Sequence, residues 1–174
     1  MYIIVAVLVV VIIIAGAAAY ILSTNGNGST NNSTPTPTPT PTVSVADATN
    51  VTFSANVTSQ GVTTEYKWQG QNIHSGNLTL RVDFATYAYI LNAGQQKSWV
   101  STDSGATWTA STFATDWGTV AAPGFGNQWT DYMDNLAHWN GSDATYSYTD
   151  AAGEAILIFN IVVNPAIPAS SFAV

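Results

Sequence analysis

The sequence predicts an α+β fold: an N-terminal hydrophobic helix, then a curved antiparallel β-meander packed on a helix inserted late in the chain. Three observations predict it. Residues 3–22 are apolar throughout and carry no charge. From Phe53 to Trp99, bulky and polar residues alternate with the period-two pattern of half-buried strands. From Phe125 the apolar spacing changes to that of one helical face, after which short strand patterns resume.

The leading run IIVAVLVVVIIIAGAAAYIL has the length of a membrane span, since about twenty residues at 1.5 Å rise cover roughly 30 Å. Residues 1–22 are therefore expected to be a hydrophobic membrane or filament-core helix. An uncleaved anchor, a secretory signal cut near Ala17-Ala18-Ala19, and the bundled helix of a filament subunit all fit this composition. Small residues at Ala6, Ala15, Gly16, Ala17 and Ala18 would let such helices self-associate. Residues 23–47 form a Ser/Thr/Asn/Pro-rich linker, too polar at its start to bury a core. Its Pro-Thr repeat stiffens into polyproline II, a spacer suited to holding a domain off a surface.

Residues 48–174 are expected to be one extracellular antiparallel β domain with a helix near 125–139. Phe53, Ala55 and Val57 alternate with Ser54, Asn56 and Thr58; Val62, Tyr66 and Trp68 share a face opposite Thr63, Glu65 and Lys67. Leu78, Leu80, Val82 and Phe84 alternate with Thr79, Arg81 and Asp83, and Tyr87, Tyr89 and Leu91 continue the pattern towards Trp99. Ser59-Gln60-Gly61 and Asn92-Ala93-Gly94 read as hairpin turns. Phe113 to Val120 suggests a short amphipathic piece, broken at Pro123-Gly124. Phe125, Trp129, Tyr132, Met133 and Leu136 then line one helical face, with Asp131 and Asp134 off it and Asn140-Gly141 as its end. Thr145–Thr149 reads as a strand with Tyr146 and Tyr148 on one side. Glu154–Val163 is apolar at nearly every position, as a central strand covered on both faces would be, and Pro165 and Pro168 close the sheet.

Composition narrows the function. Only 7% of residues are charged, against about one quarter in ordinary domains, and three Lys+Arg face ten Asp+Glu for a net charge of −7. A nucleic-acid partner, which needs clustered cations, is excluded, and docking on anionic headgroups is disfavoured. With no cysteine there is no disulfide, thiolate or Cys-ligated metal. His74 and His138 lie far apart without ligand spacing, so no metal and no cofactor is expected. No nucleophile motif, phosphate loop or facing carboxylate pair emerges; Glu65 and Asp83 fall on wet strand faces. A non-enzymatic protein is expected. Asn27, Asn31, Asn32, Asn50, Asn56, Asn77 and Asn140 each open an Asn-x-Ser/Thr triplet and are glycosylation candidates, in keeping with an extracytoplasmic setting.

Ser101-Thr-Asp103-Ser-Gly105-Ala-Thr107-Trp108 resembles the Asp-box, S-x-D-x-G-x-T-W, at every defined position. The resemblance implies a hairpin whose Asp satisfies turn amides, whose Gly takes a positive φ and whose Trp packs beneath the turn, in a structural role. The stretches NLTLRVDF, YAYILNAGQQKSW and NIVVNPAIPASSF are similar to the lipoprotein-carrier (LolA/LppX-like) domains. That resemblance implies a curved half-barrel over inserted helices. Residues 1–42 resemble the anchor and Pro-Thr stalk of archaeal surface proteins, and the first helix also resembles that of archaeal pilins.

These readings lead to a membrane-anchored cell-surface protein binding an apolar or lipid ligand between sheet and helix. The expected lining is Leu80, Val82, Tyr89 and Trp99 from the sheet with Trp129, Tyr132, Met133 and Leu136 from the helix. Two alternatives stand beside it. One is a pilin-like subunit of an extracellular filament, self-associating through the first helix. The other is a carbohydrate-binding adhesin, which requires aromatic rings exposed in a row.

Overall fold

The structure, a computed structural model, describes residues 44–119 and 124–174. The apolar segment 1–22, linker residues 23–43 and the sequons at Asn27, Asn31 and Asn32 lie outside the described residues, as do residues 120–123. Among the described residues no helix is long and apolar enough to cross a membrane.

The fold is mostly antiparallel sheet. Six strands form a meander: β1 (Asn50–Ser59), β2 (Val62–Gln71), β3 (Thr79–Phe84), β4 (Tyr87–Asn92), β5 (Lys97–Ser101) and β6 (Thr109–Ser111). Two helices follow, α1 (Phe113–Trp117) and α2 (Phe125–Leu136), then the hairpin of β7 (Thr145–Thr149) and β8 (Ala155–Val163), and a 3-10 turn at Ala169–Phe172. The eight strands lie in the order β6-β5-β4-β3-β2-β1-β8-β7. The chain thus leaves the sheet at the β6 edge and re-enters at the opposite edge as β7, and β8 then returns beside β1.

Register fixes what each face carries. Phe53 pairs with Trp68, Trp68 with Val82, Val82 with Tyr89, and Tyr89 with Val100. Because side chains alternate across a strand, these residues share one face, and α2 lies on it. Trp129 sits 5.8 Å from Phe53 and 6.0 Å from Trp68; Tyr132 meets the same two rings edge-on at 5.6 and 5.3 Å. The helix can come this close because β2 has Gly70 beneath it. A Cβ at Gly70 would lie 2.2 Å from Trp129 Cη2. The opposite face carries Asn56, Thr63, Lys67, Arg81 and Asp83, with the C-terminal 3-10 turn packed on β3.

The β1–β2 turn forms at the expected place, with Gln60 at φ 51° and Gly61 at φ 80°, both positive as a two-residue type I′ hairpin requires. Elsewhere the structure corrects the sequence reading. The β4–β5 turn, read at Asn92-Ala93-Gly94, is a four-residue loop running on to Gln96, which takes a positive φ of 52°. The main helix ends at Leu136, before Asn140-Gly141. β8 is not covered twice: Ile156 and Ile158 are buried against β1 and the helix layer, but Leu157 and Val162 are exposed. A bulge opposite Thr52 and Ser54, with Asn160 at φ 54°, locally disrupts the pairing with β1.

Candidate functional site

The residues expected to line a groove make direct contact instead. Leu80, Val82, Trp129, Tyr132 and Leu136 are buried in the core, and Tyr89 and Met133 pack against it half-buried. Their rings and branches fill the layer between α2 and the sheet. Trp99 is elsewhere. It pairs with Ile90, which pairs with Arg81, so its side chain belongs to the face opposite Tyr89.

An aromatic row lies at the end of the face that α2 covers. Tyr66, Phe84 and Tyr87 come from the adjacent strands β2, β3 and β4, one ring each, with Phe84 and Tyr87 directly paired. Phe84 lies 5.0 Å from Tyr66 and stacks on Tyr87 at 5.6 Å, with a second stack on Tyr89. Phe125, the first residue of α2, closes the inner side at 4.6 Å from Tyr89. Tyr66 and Phe84 are half-buried, and Tyr87 is 43% exposed. The row therefore offers ring edges and faces to solvent while its base is fixed by the core.

A cleft of about 310 Å³ lies between α2 and the β7–β8 turn, and its Glu154 and Tyr132 are near enough to Tyr66 to interact with its hydroxyl. Asn127, Gln128, Asp131 and Tyr132 reach it from the helix, Asp150 and Glu154 from the hairpin. Electrostatics tie row and cleft together. Burial pushes the Tyr66 hydroxyl above its ordinary pKa, and the nearby Glu154 carboxylate adds to the effect. Burial raises Tyr132 further, helped by Tyr66 and then by Asp131, Glu154 and Asp150. Both phenols stay protonated and available as donors. Tyr148 donates to Asp131 Oδ2 at 2.5 Å, and burial together with this bond raises its pKa as well. The Gln128 side-chain carbonyl is buried without a hydrogen-bond partner among the described residues. Asp131, expected on the solvated side of the helix, is instead half-buried and bonded to β7. Asp134 is exposed as expected.

Among the described residues no group of His, Cys, Asp or Glu is placed to hold a metal. The Asp-box segment forms the β5–β6 hairpin. Asp103 accepts from Ser101 Oγ, from the Thr107 amide and from Thr107 Oγ, at 2.6 to 2.9 Å. Gly105 sits at φ 90°, and a Cβ there would touch Trp108 at 3.4 Å. Trp108 also lies under the Arg81 guanidinium, at 5.7 Å. Arg81 is meanwhile paired in two-pronged fashion with Asp83 and bonded to the Ser171 carbonyl. Of the described sequons, Asn50 is tied to Pro165, Asn56 is half-buried on the polar face, and Asn77 and Asn140 are exposed in loops.

Sequence reading missed both the row and the cleft. Part of the signal for the row was present: Phe84 ends β3 and Tyr87 begins β4, where a helix leaves rings uncovered, but Tyr66 lies mid-strand and joins them only through register. Comparison of the chain with protein-family models, curated proteins and solved structures found no match.

Proposed function

We propose that this is a non-enzymatic cell-surface protein, held in the membrane by its first 22 residues and spaced from it by the Pro-Thr linker. Its β domain binds a hydroxyl-rich ligand, a surface glycan, along the aromatic row and into the acidic cleft. One observation carries the choice of ligand: three partly exposed rings on consecutive strands run up to a cleft of carboxylates and amides. Sugar rings present C–H faces that pack on aromatic rings, and hydroxyls that donate to carboxylates and amide carbonyls. Gln128 and Asn127 line the cleft with amide side chains, which can both donate to and accept from ligand hydroxyls. Asp131 is committed to Tyr148, which argues for a binding rather than a catalytic role.

The adhesin reading is favoured over a lipid carrier because the layer between helix and sheet is occupied by packed rings. The test is calorimetry of the full chain, in a detergent without a sugar headgroup, against a panel of oligosaccharides and a fatty acid. Saturable oligosaccharide binding is expected, weakened about tenfold or more in Tyr87→Ala, which removes an exposed stacking ring worth on the order of 1 kcal/mol or more. Thermal stability should stay close to wild type because Tyr87 is 43% exposed. Fatty-acid binding with no response to any saccharide would overturn the assignment in favour of the lipid reading. Fibres containing the chain on sheared cells would instead favour the filament subunit.

A further inference from the structure

The β7 edge carries a feature that the ligand site does not use. Strand edges in natural proteins are ordinarily blunted by lysine, proline, bulges or short length. The β6 edge is short, only three residues, Thr109–Ser111. β7 has none of these protections: its five residues read Thr145-Tyr146-Ser147-Tyr148-Thr149, uncharged, without proline, and, among the described residues, paired on one side only. Those residues are also a palindrome about Ser147.

We infer that β7 pairs antiparallel with β7 of a second copy of this chain, about a twofold axis through Ser147. Hydrogen-bond phase supports that register. The Asp150 amide donates to the Glu154 carbonyl across the hairpin at 3.1 Å, so Asp150 turns its backbone towards β8. By alternation Tyr148 and Tyr146 do the same, and Thr145, Ser147 and Thr149 turn their N–H and C=O groups to the open edge. An antiparallel partner must oppose outward residues with outward residues. The twofold does this: Ser147 faces Ser147, and Thr145 faces Thr149 of the other copy, with up to about six backbone hydrogen bonds.

Side chains agree with the backbone. Tyr146 falls opposite Tyr148 of the second copy at the closely spaced, non-hydrogen-bonded position, where aromatic pairs gain most. Thr145 falls opposite Thr149, a pairing that also stabilises sheets. One step beyond the strand, Asp150 meets Ala144, so the nearest carboxylates do not oppose each other despite the chain's net charge of −7. The interface is self-complementary in the way a twofold requires. Since the axis is normal to the sheet, both aromatic rows face the same way, and a dimer presents two ligand sites to one surface.

The test uses the full chain in detergent, with molar mass measured by sedimentation. A dimer is expected for wild type. Ser147→Lys sets two ammonium groups against each other on the axis and should weaken dimerisation at least about tenfold while the melting transition persists. A dimer unaffected by Ser147→Lys, as one held by the N-terminal helix would be, overturns the inference, and so does a wild-type monomer. Should the lysine variant not fold, Ser147→Cys carrying a nitroxide label decides, since no native cysteine competes. Paired Cα atoms lie about 5.5 Å apart, so label-to-label distances on the order of 10–20 Å are expected. Longer distances or none overturn it. Failure here leaves glycan binding by the monomer untouched, so the two proposals fail separately.

Discussion

At the scale of single residues, the sharpest chemistry sits in the β5–β6 turn. Three hydrogen bonds from Ser101 and Thr107 favour the ionised form of Asp103 and hold its pKa at about 2 rather than its ordinary 3.8. The carboxylate is solvent-exposed, so hydrogen bonding is the cause. A folded-state pKa below the unfolded one means that the unfolded chain binds the proton first on acidification. The stabilisation is therefore complete above about pH 4 and disappears as pH falls towards about 2. Melting temperatures of wild type and Asp103→Ala should differ most near neutral pH and converge across that window, as differential scanning fluorimetry between pH 2 and 6 can show. A difference that stays constant down to about pH 2 would contradict the link between the turn and its carboxylate. Asn164 does comparable work at the other end of the molecule. Its Oδ1 accepts from the Thr49 and Asn50 amides, and so fastens the end of β8 to the start of β1.

At the scale of elements, the decisive contact is α2 on the sheet, and it depends on a residue without a side chain. Trp129 occupies the volume that any β-carbon at Gly70 would need. Gly70→Ala must therefore displace an indole already stacked near Phe53 and Trp68, an overpacking cost of about 1–3 kcal/mol. Urea unfolding should show a lower midpoint with an unchanged slope; an unchanged midpoint would mean that the helix is less firmly seated than the ring distances imply. This same contact shows what the sequence could disclose. The faces of β1 to β4 were legible because one buried side imposes strict alternation, and the helix face because Phe125, Trp129, Tyr132 and Leu136 repeat with helical spacing. Trp99 was misplaced because side-chain parity does not carry through a loop. Only the pairing of Tyr89 with Val100 decides that Trp99 faces the other way. The cleft was illegible for a related reason. Asp131, Asp150 and Glu154 belong to a helix and a hairpin whose meeting is set by topology, and Asp131 on a helical wheel looks solvated until Tyr148 arrives beside it.

At the scale of the whole molecule, topology makes the C-terminal strands indispensable to the β domain. β1 begins the domain yet lies inside the sheet, because β8 pairs along its free side from Val51–Val163 to Thr58–Ala155. The meander β1 to β6 can assemble from local hairpins, but its core is not complete until β8 arrives from the far end of the chain. Every buried core residue among those described falls between Val45 and Ile158. Two truncations follow from this, with opposite outcomes. Residues 41–174, which form one compact unit, should melt cooperatively on their own, within a few degrees of the full chain measured in the same detergent. A chain stopped at Thr149 loses β8, and β7 with it, since β7 pairs with nothing else in the sheet. Val51, Ala55 and Val57 then stand on an open edge, and Tyr148 no longer has a strand to hold it against Asp131. That chain should show no cooperative near-ultraviolet transition and should exchange its amide protons rapidly, including those of β1 and β2. Protected amides in β1 and β2 of the shortened chain would mean that the meander and α2 fold as a unit of their own. β8 would then be an addition to a finished core.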